Sequence, residues 1–209
     1  MDMTAARPPT AGRKAGEPVW ELARLYPEQG SWTEEDYLEL DGAQKILAEY
    51  TDGFVEVLPM PTWKHQMIML GLLYALEEFI KPRNLRKASC APLPFKLRKK
   101  AWREPDIVFV LKEHLPEGDY PDRVDLAIEI VSEDRRSHVR DFKTKRCDYA
   151  AAGISEYWIV DPQKHQITVL CLEGRRYVEH GVFRKGERAT SVLLKGFNVD
   201  VDAVFAAAK

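Results

Sequence analysis

Cysteine is scarce in this sequence, and the few cysteines form no recognisable pattern. The chain has three of them among 209 residues, at positions 90, 147 and 171. An odd number without a Cys-x-x-Cys pair argues against both a disulfide framework and a cysteine-based zinc site. Proteins without disulfides are typical of reducing compartments, so we predict a cytoplasmic location.

Long hydrophobic runs are missing as well. The longest is MIMLGLLYAL at 67–76, whereas a helix that spans a bilayer needs about 20 apolar residues. We therefore interpret this run as part of a core helix and expect no contact with a membrane. The start of the chain, MDMTAARPPTAGRKAG, has no apolar segment of the signal-peptide kind, and we predict a disordered tail over residues 1–18.

Neither sign of charge is in excess. The 31 Lys and Arg residues against 33 Asp and Glu leave a formal net charge of −2. Global charge therefore gives no sign of a nucleic-acid-binding protein, although a local basic cleft is compatible with it. The phosphate-binding motifs GxGxxG and GxxxxGK[ST] and the serine-hydrolase motif GxSxG are also absent.

What the sequence does contain is a series of strand and helix patterns typical of one layered α/β (α+β) domain. Asp52-Gly53 between two apolar-rich runs predicts a hairpin. Strands that are apolar on both faces, and so central in a sheet, are predicted at 106–111, 125–131 and 156–162. The helix predicted between the last two indicates that they are parallel. Helices are predicted at 33–40, 62–80, 139–152 and 201–208, and shorter strands at 94–98, 167–174, 175–180 and 191–196.

Two carboxylates stand in strands that are otherwise apolar. Asp106 opens the 106–111 strand, and Glu129 lies in the middle of the 125–131 strand. Burying a carboxylate is costly unless a cation or hydrogen bonds compensate for the lost water. If these strands are neighbours, the two carboxylates converge, and with backbone and water oxygens they suit a hard ion such as Mg²⁺. The alternatives are a Glu129 that faces solvent or one that pairs with an arginine, for which Arg135, Arg136 and Arg140 are near enough in sequence.

Basic residues cluster in two segments beside these strands, at 96–103 and 133–146. In a chain of nearly balanced charge, basic segments next to paired carboxylates indicate a phosphate-rich substrate. The alternative is that both segments are ordinary solvated surfaces.

Lys145 lies at the edge of the apolar face of the 139–152 helix, between Phe142 and Tyr149. A lysine in this position commonly buries its stem and keeps its ammonium in water. The other interpretation is that the ammonium reaches the carboxylate pair, with Asp141 at i−4 as a partner. Glu49 and His65 are similarly ambiguous, because each is either structural or an accessory to a nearby acidic site.

Several segments taken together resemble a known family. They are SWTEEDYLEL, EYTDGFVEVLPMPTWKH, REPDIVFVL, DLAIEIVSEDRRSHVRDFKTKRCDY and AAGISEYWIVDP. Their order and content are similar to the Uma2 family of "putative restriction endonucleases", a branch of the PD-(D/E)XK nuclease superfamily. The resemblance runs from about Trp32 to Phe205, and its most distinctive parts are GISEYWIVDP and the spacing of Asp141, Lys145 and Tyr149.

The resemblance implies a restriction-endonuclease-like fold, a mixed central sheet flanked by helices, in a single domain over residues 19–209. It also implies metal-dependent hydrolysis of DNA, with Asp106 and Glu129 as ligands of Mg²⁺, for which Mn²⁺ can substitute. The lysine of the family motif falls at Val131, which cannot serve. Lys145 matches the lysine that relatives supply from the following helix.

Three further residues and one competing function complete what the resemblance implies. Glu49 and His65 match recurrent family positions, and Asp141 joins them as an accessory residue. DNA is the implied partner, and a homodimer is left open. The competing interpretation is a catalytically silent module on the same fold that binds nucleic acid or a protein partner.

Overall fold

The computed structural model describes residues 26–44, 46–132 and 139–207 of the chain. The predicted tail at 1–18 lies outside these residues, as do Arg135 and Arg136. The strands are β1 Ala48–Thr51, β2 Phe54–Val57, β3 Arg86–Cys90, β4 Phe95–Arg98, β5 Ala101–Arg103, β6 Ile107–Leu111, β7 Leu126–Ile130, β8 Glu156–Asp161, β9 Gln166–Glu173, β10 Arg176–Phe183, β11 Arg188–Thr190 and β12 Asn198–Asp200. The helices are α1 Glu34–Gln44, α2 Trp63–Ile80, α3 Lys145–Ala152 and α4 Val201–Ala206, with a 3₁₀ turn at Lys112–His114 and a π-helical turn at Arg140–Thr144.

Helix α1 begins where the sequence predicts. The Thr33 hydroxyl accepts a hydrogen bond from the Asp36 amide (3.1 Å), and the Asp36 carboxylate accepts one from the Thr33 amide (2.9 Å). This reciprocal pair satisfies N–H groups that the start of a helix otherwise leaves without partners.

The predicted hairpin belongs to a small antiparallel sheet with strand order β2-β1-β5-β4. Asp52 and Gly53 form its turn with φ values of 47° and 93°. Gly53 is required for a second reason, because a Cβ there would stand 2.5 Å from the Gly30 carbonyl oxygen.

The central sheet has six strands in the order β10-β9-β8-β7-β6-β3. Strands β7 and β8 are parallel, as predicted, and every other neighbouring pair is antiparallel. The chain therefore has the mixed central sheet that the sequence analysis predicts, with the three apolar strands β6, β7 and β8 side by side.

Helices cover both faces of the central sheet, which explains why its strands are apolar on both sides. On one face, α2 and α4 pack with Leu126, Ile128 and Ile130 of β7. On the other face, α3 packs over Ala127 and Val131. Strand alternation places Glu129 on the α3 side. None of the helices in the described ranges is long and apolar enough to cross a membrane.

One predicted strand is wrong. Residues 191–196 form turns between β11 and β12 and belong to no strand. Three of their backbone N–H groups donate to side chains instead of to a neighbouring strand: Val192 and Leu193 donate to the Glu156 carboxylate (2.7 and 2.8 Å), and Leu194 donates to the Ser191 hydroxyl (2.8 Å). Strands β3 and β5, which are short and polar or charged in part, have no counterpart among the sequence predictions.

Candidate active site

Asp106 and Glu129 meet at one end of the β6–β7 pair. Ile107 lies opposite Ile128, so the next position along each strand brings Asp106 across from Glu129. The Ile130 amide donates to Asp106 Oδ2 (2.7 Å) and fixes that carboxylate at the point where β6 begins. Both acids line one cavity of ≈ 230 Å³, together with His65, Asp141 and Lys145. The predicted convergence of the two carboxylates is therefore correct.

Lys145 is buried in the middle of this group, with 1% of its surface exposed. Its Nζ lies 2.8 Å from Glu129 Oε1, 3.0 Å from Glu49 Oε1 and 3.8 Å from Asp141 Oδ1. The alternative of an ammonium that stays in water is wrong, and so are the alternatives of a solvent-facing Glu129 or one paired with an arginine in the described part of the chain.

The π-helical turn before α3 accounts for the inward direction of Lys145. The Lys145 amide donates to the Arg140 carbonyl, five residues earlier, so the turn holds one residue more than an α-helical turn. The extra residue rotates the start of α3 relative to the preceding turn, and Asp141 and Lys145 both become buried. Turns of this kind often occur at functional sites.

Tyr149, one helical turn after Lys145, is a site residue to which the sequence analysis gave a place in the family spacing and on an apolar face but no role in the site. Its hydroxyl donates to Glu129 Oε1 at 2.5 Å. Lys145 donates to the same oxygen, so among the described residues no donor reaches Glu129 Oε2. Asp106 is similar, since its carboxylate contacts with the Ile130 amide and the His65 ring both involve Oδ2 and leave Oδ1 without a donor in the described ranges.

Burial and mutual repulsion set the protonation states of the acids. Burial, together with the neighbouring carboxylates of Asp106, Asp141 and Glu49, raises the pKa of Glu129 to about 8 against the opposing charge of Lys145. Burial also raises the pKa of Asp141. Although burial opposes the charged form, the neighbouring carboxylates raise the pKa of Lys145, so its ammonium stays protonated.

Glu49 differs from the other acids because three cations surround it. Burial opposes its ionisation, but Lys145, Arg103 and Arg140 hold the pKa of Glu49 below its ordinary value. Arg103 Nε lies 3.7 Å from Glu49 Oε2, and its Nη2 lies 2.7 Å from Asp148 Oδ2. Glu49 therefore remains an anion and is a second carboxylate partner of Lys145 besides Glu129.

The basic segment at 96–103 is less available to a phosphate than the sequence suggests. Arg103 is buried and paired, as described above. Arg98 forms two hydrogen bonds to Asp52, at 3.0 and 2.8 Å, and Lys96 lies 3.5 Å from Glu34. Most of the charge in this segment is thus already balanced by carboxylates of the protein. In the second segment, Arg140 lines the cavity, while 133–138 lie outside the described residues.

His65 lies against Asp106. Its Nε2 is 3.2 Å from Asp106 Oδ2 and 3.1 Å from the Ile130 carbonyl oxygen. Burial opposes its protonation, but Asp106 and, more weakly, Glu129 raise the pKa of His65 above its ordinary value.

The site offers oxygen donors that fit a hard divalent cation. Asp106 Oδ1 and Glu129 Oε2 have no donor in the described part of the chain, and the Ile130 residue lines the same cavity. The described ranges contain no group of three or more His, Cys, Asp or Glu side chains that could hold a metal ion. A cation would therefore depend on the two carboxylates, a backbone carbonyl and solvent, which is the oxygen-rich donor set that Mg²⁺ accepts.

Comparisons with known proteins identify a family and a similar fold. The model of a family named Uma2, described as "Putative restriction endonuclease", matches residues 34–202. No curated protein matches the chain significantly. Among solved structures, the chain resembles a "putative nuclease belonging to DUF820" from Anabaena variabilis ATCC 29413, with a TM-score of 0.69 and 19% sequence identity, over 85% of this chain and 99% of that one. A likeness at this identity establishes the shared fold.

Proposed function

The chain belongs to the Uma2 family of "putative restriction endonucleases", and we propose that it is a divalent-metal-dependent endonuclease that hydrolyses phosphodiester bonds in DNA. The observation that carries this proposal is the meeting of Asp106, Glu129 and Lys145 in one cavity. Two acids that can bind a cation and one buried ammonium beside them are groups that can catalyse phosphodiester hydrolysis.

The two carboxylates would hold the cation. Asp106 Oδ1 and Glu129 Oε2 are the oxygens without a donor in the described ranges, and Ile130, whose carbonyl can add a third oxygen, lines the same cavity. When bound, a divalent cation polarises a phosphate and lowers the pKa of an attacking water. Because the pKa of Glu129 is raised, its carboxyl group tends to hold a proton. It must release this proton before it can bind the cation as an anion.

Lys145 contributes positive charge where the reaction builds up negative charge. Its ammonium is held by Glu129 at 2.8 Å and by Glu49 at 3.0 Å, so it is positioned before any substrate arrives. A fixed cation stabilises charge that develops on phosphate oxygens in the transition state without having to reorganise. Glu49 and Asp141 act as positioning residues for Lys145.

A cleavage assay tests the proposal. Supercoiled, linear and single-stranded DNA are incubated with the wild-type protein and Mg²⁺ or Mn²⁺, and with EDTA as the metal-free reference. Asp106→Asn and Glu129→Gln should abolish cleavage, whereas the matched change Asp122→Asn, at an exposed acid outside the cavity, should leave the rate unchanged.

The outcome of the same assay distinguishes the competing function. Cleavage that needs a divalent metal and both acids supports the endonuclease. Tight DNA binding with no cleavage of any form under any metal would overturn it and identify a silent nucleic-acid-binding module.

A further inference from the structure

Helix α2 is apolar on the side that faces away from the core as well as on the side that faces it. Its core side consists of the buried residues Ile68, Met69, Leu72, Leu76 and Ile80. On the opposite side, which we call the outer face, lie Trp63, Met67, Leu70 and Tyr74, within an arc of about 60°. The described residues leave 73% of Trp63 and 68% of Tyr74 exposed. A surface helix normally carries polar residues on this side, and a helix that is apolar all round is normally buried.

The spacing of the outer face is the same when it is read from either end of the helix. Its residues are four, three and four positions apart. Alternating intervals of three and four are typical of a helix that packs along another helix. Because the pattern is symmetrical, two antiparallel copies of α2 bring Trp63 of each opposite Tyr74 of the other, and Met67 opposite Leu70. A surface that is complementary to itself is what a two-fold dimer requires.

Two charged residues beside the outer face are placed unfavourably with respect to their own helix. Lys64 lies in the first turn, near the positive end of the helix dipole, and Glu78 lies in the last turn, near the negative end. Neither has an ion-pair partner among the described residues. An antiparallel second helix would reverse this arrangement, because it sets each charge beside the end of the other helix that favours it.

The same two residues are also placed to meet across an antiparallel pair. Lys64 and Glu78 lie about 40° apart around the helix, on the same flank of the outer face. In a two-fold antiparallel pair, this flank of one helix adjoins the same flank of the other. Helical side chains lean toward the N-terminus of their own helix, so Lys64 of one copy and Glu78 of the other lean toward each other.

A second copy of the chain fits the outer face better than a polyanion does. Lys64 and Lys81 at its edges are balanced by Glu77 and Glu78, so the face offers nucleic acid no net attraction. The two exposed aromatic residues of each copy would together remove on the order of 600 Å² from water, about half of what a small specific interface buries. The remaining apolar and charged residues of the face add to this area.

We propose that the protein forms a two-fold homodimer in which the outer faces of the two α2 helices pack antiparallel. The sequence left a homodimer open, and the outer face gives it a surface and a geometry. This inference does not depend on the nuclease activity, because neither the metal-binding carboxylates nor Lys145 belongs to the outer face.

Light scattering after size-exclusion chromatography of the full chain tests the proposal. The concentration runs from about 1 to about 100 μM, since interfaces of this size can be as weak as micromolar. We expect the wild type to have twice the mass of one chain at the upper end. Tyr74→Glu places a charge in the interface and should raise the dissociation constant of the dimer at least about tenfold. The matched change Val178→Glu, at an exposed apolar residue of the edge strand β10, should leave it unchanged.

Charge reversal tests the antiparallel arrangement. Lys64→Glu and Glu78→Lys should each weaken the dimer about threefold, because each places like charges across the interface. Both changes improve the fit to the dipole of their own helix, so a role confined to the monomer predicts no weaker association. The double variant restores opposite charges in both copies and should recover the wild-type dissociation constant.

Four results would overturn the proposal. A wild-type protein that is monomeric at every concentration would do so, whether the start of the chain, DNA or solvent covers the outer face. A dimer that Tyr74→Glu does not weaken would do so as well. A dimer that Val178→Glu weakens as much as Tyr74→Glu would place the contact at the edge of the central sheet. A double charge variant that associates no better than the single ones would reject the antiparallel pairing.

Discussion

Lys145 is central to the candidate site. Its side chain is almost fully buried and has three carboxylates around it. Lys145 balances Glu129, Glu49 and Asp141, and removing one member of a buried charged group leaves the others uncompensated. We expect Lys145→Met to lower the free energy of unfolding by about 3–5 kcal/mol, measured by urea denaturation. The matched change Lys185→Met, at an exposed position, should cost nothing measurable. Equal stabilities for the two variants would contradict the central position of Lys145.

The same residue should dominate the rate of cleavage. If Lys145 stabilises the transition state, Lys145→Ala lowers the cleavage rate by on the order of 10²–10³. Val131 lies on the Glu129 side of β7, at the position where the family motif carries its lysine. Adding Val131→Lys to Lys145→Ala should therefore recover part of the rate in a single-turnover assay. A Lys145→Ala protein that cleaves at the parental rate would refute the assignment.

We expect Glu129 to make the stability of the metal-free protein depend on pH. Burial raises the pKa of Glu129 to about 8 in the folded state, above its ordinary value of 4.5. A carboxyl group whose pKa is higher in the folded state than in the unfolded state binds its proton more tightly when the protein is folded. The proton on Glu129 therefore stabilises the folded state below about pH 4.5, and this stabilisation is lost as the pH rises through 8. With EDTA present, wild-type stability should fall between pH 5 and pH 9 relative to Glu129→Gln, by on the order of a few kcal/mol. Parallel stability curves for the two proteins would show that Glu129 does not titrate in this range.

At the scale of single elements, the π-helical turn Arg140–Thr144 decides which side chains reach the site. Lys143 is exposed, and its deletion would convert the turn to α-helical spacing. Residues before the deletion would then turn by about 100° relative to α3. Asp141 would lose its contact with Lys145 and the hydrogen bond that its carbonyl accepts from the Tyr157 hydroxyl (3.0 Å). We expect a loss of about 2 kcal/mol in urea denaturation, against no loss for Lys143→Ala. If the deletion is as harmless as the substitution, the turn does not position these residues.

The β1–β2 hairpin carries Glu49 and depends on Gly53. An alanine there would have to adopt a φ of 93° and place its Cβ 2.5 Å from a carbonyl oxygen. Gly174 is a matched control, since its φ is 62° but a Cβ would meet nothing within 4 Å. Gly53→Ala should therefore destabilise the protein by about 1–3 kcal/mol more than Gly174→Ala, measured by urea denaturation. Equal losses would show that the backbone near Gly30 moves aside freely.

The elements also show which features a single sequence can predict. Asp106 and Glu129 stand out because carboxylates are rare in strands that are apolar on both faces, and the order of the strands makes them neighbours. The burial of Lys145 depends on a π-helical turn that has no signature in the residue types. Tyr149 lies on an apolar helix face where any aromatic residue would fit, so the sequence does not show that its hydroxyl has a role in the site. Residues 191–196 have a strand-like composition, but the N–H groups of Val192 and Leu193 donate to Glu156, which only the folded chain brings near.

At the scale of the whole molecule, the site lies where three parts of the fold meet. The small sheet supplies Glu49, the central sheet supplies Asp106 and Glu129, and α3 supplies Lys145. The carboxylates are thus brought close only when the layers are assembled. Their repulsion is compensated in part by one lysine, and a divalent cation would compensate the rest.

The melting temperature of the wild-type protein and of Asp106→Asn, each with EDTA and with Mg²⁺ or Mn²⁺, tests the central claim that this carboxylate pair binds a metal. Asparagine keeps an oxygen that can accept the hydrogen bond from the Ile130 amide, so the change removes charge and little else. We predict that a divalent cation raises the wild-type melting temperature, because ligands that bind only the folded state stabilise it. Asp106→Asn should melt at or above the wild-type temperature in EDTA and show no metal-induced rise. A rise in Asp106→Asn equal to that of the wild type would contradict the account.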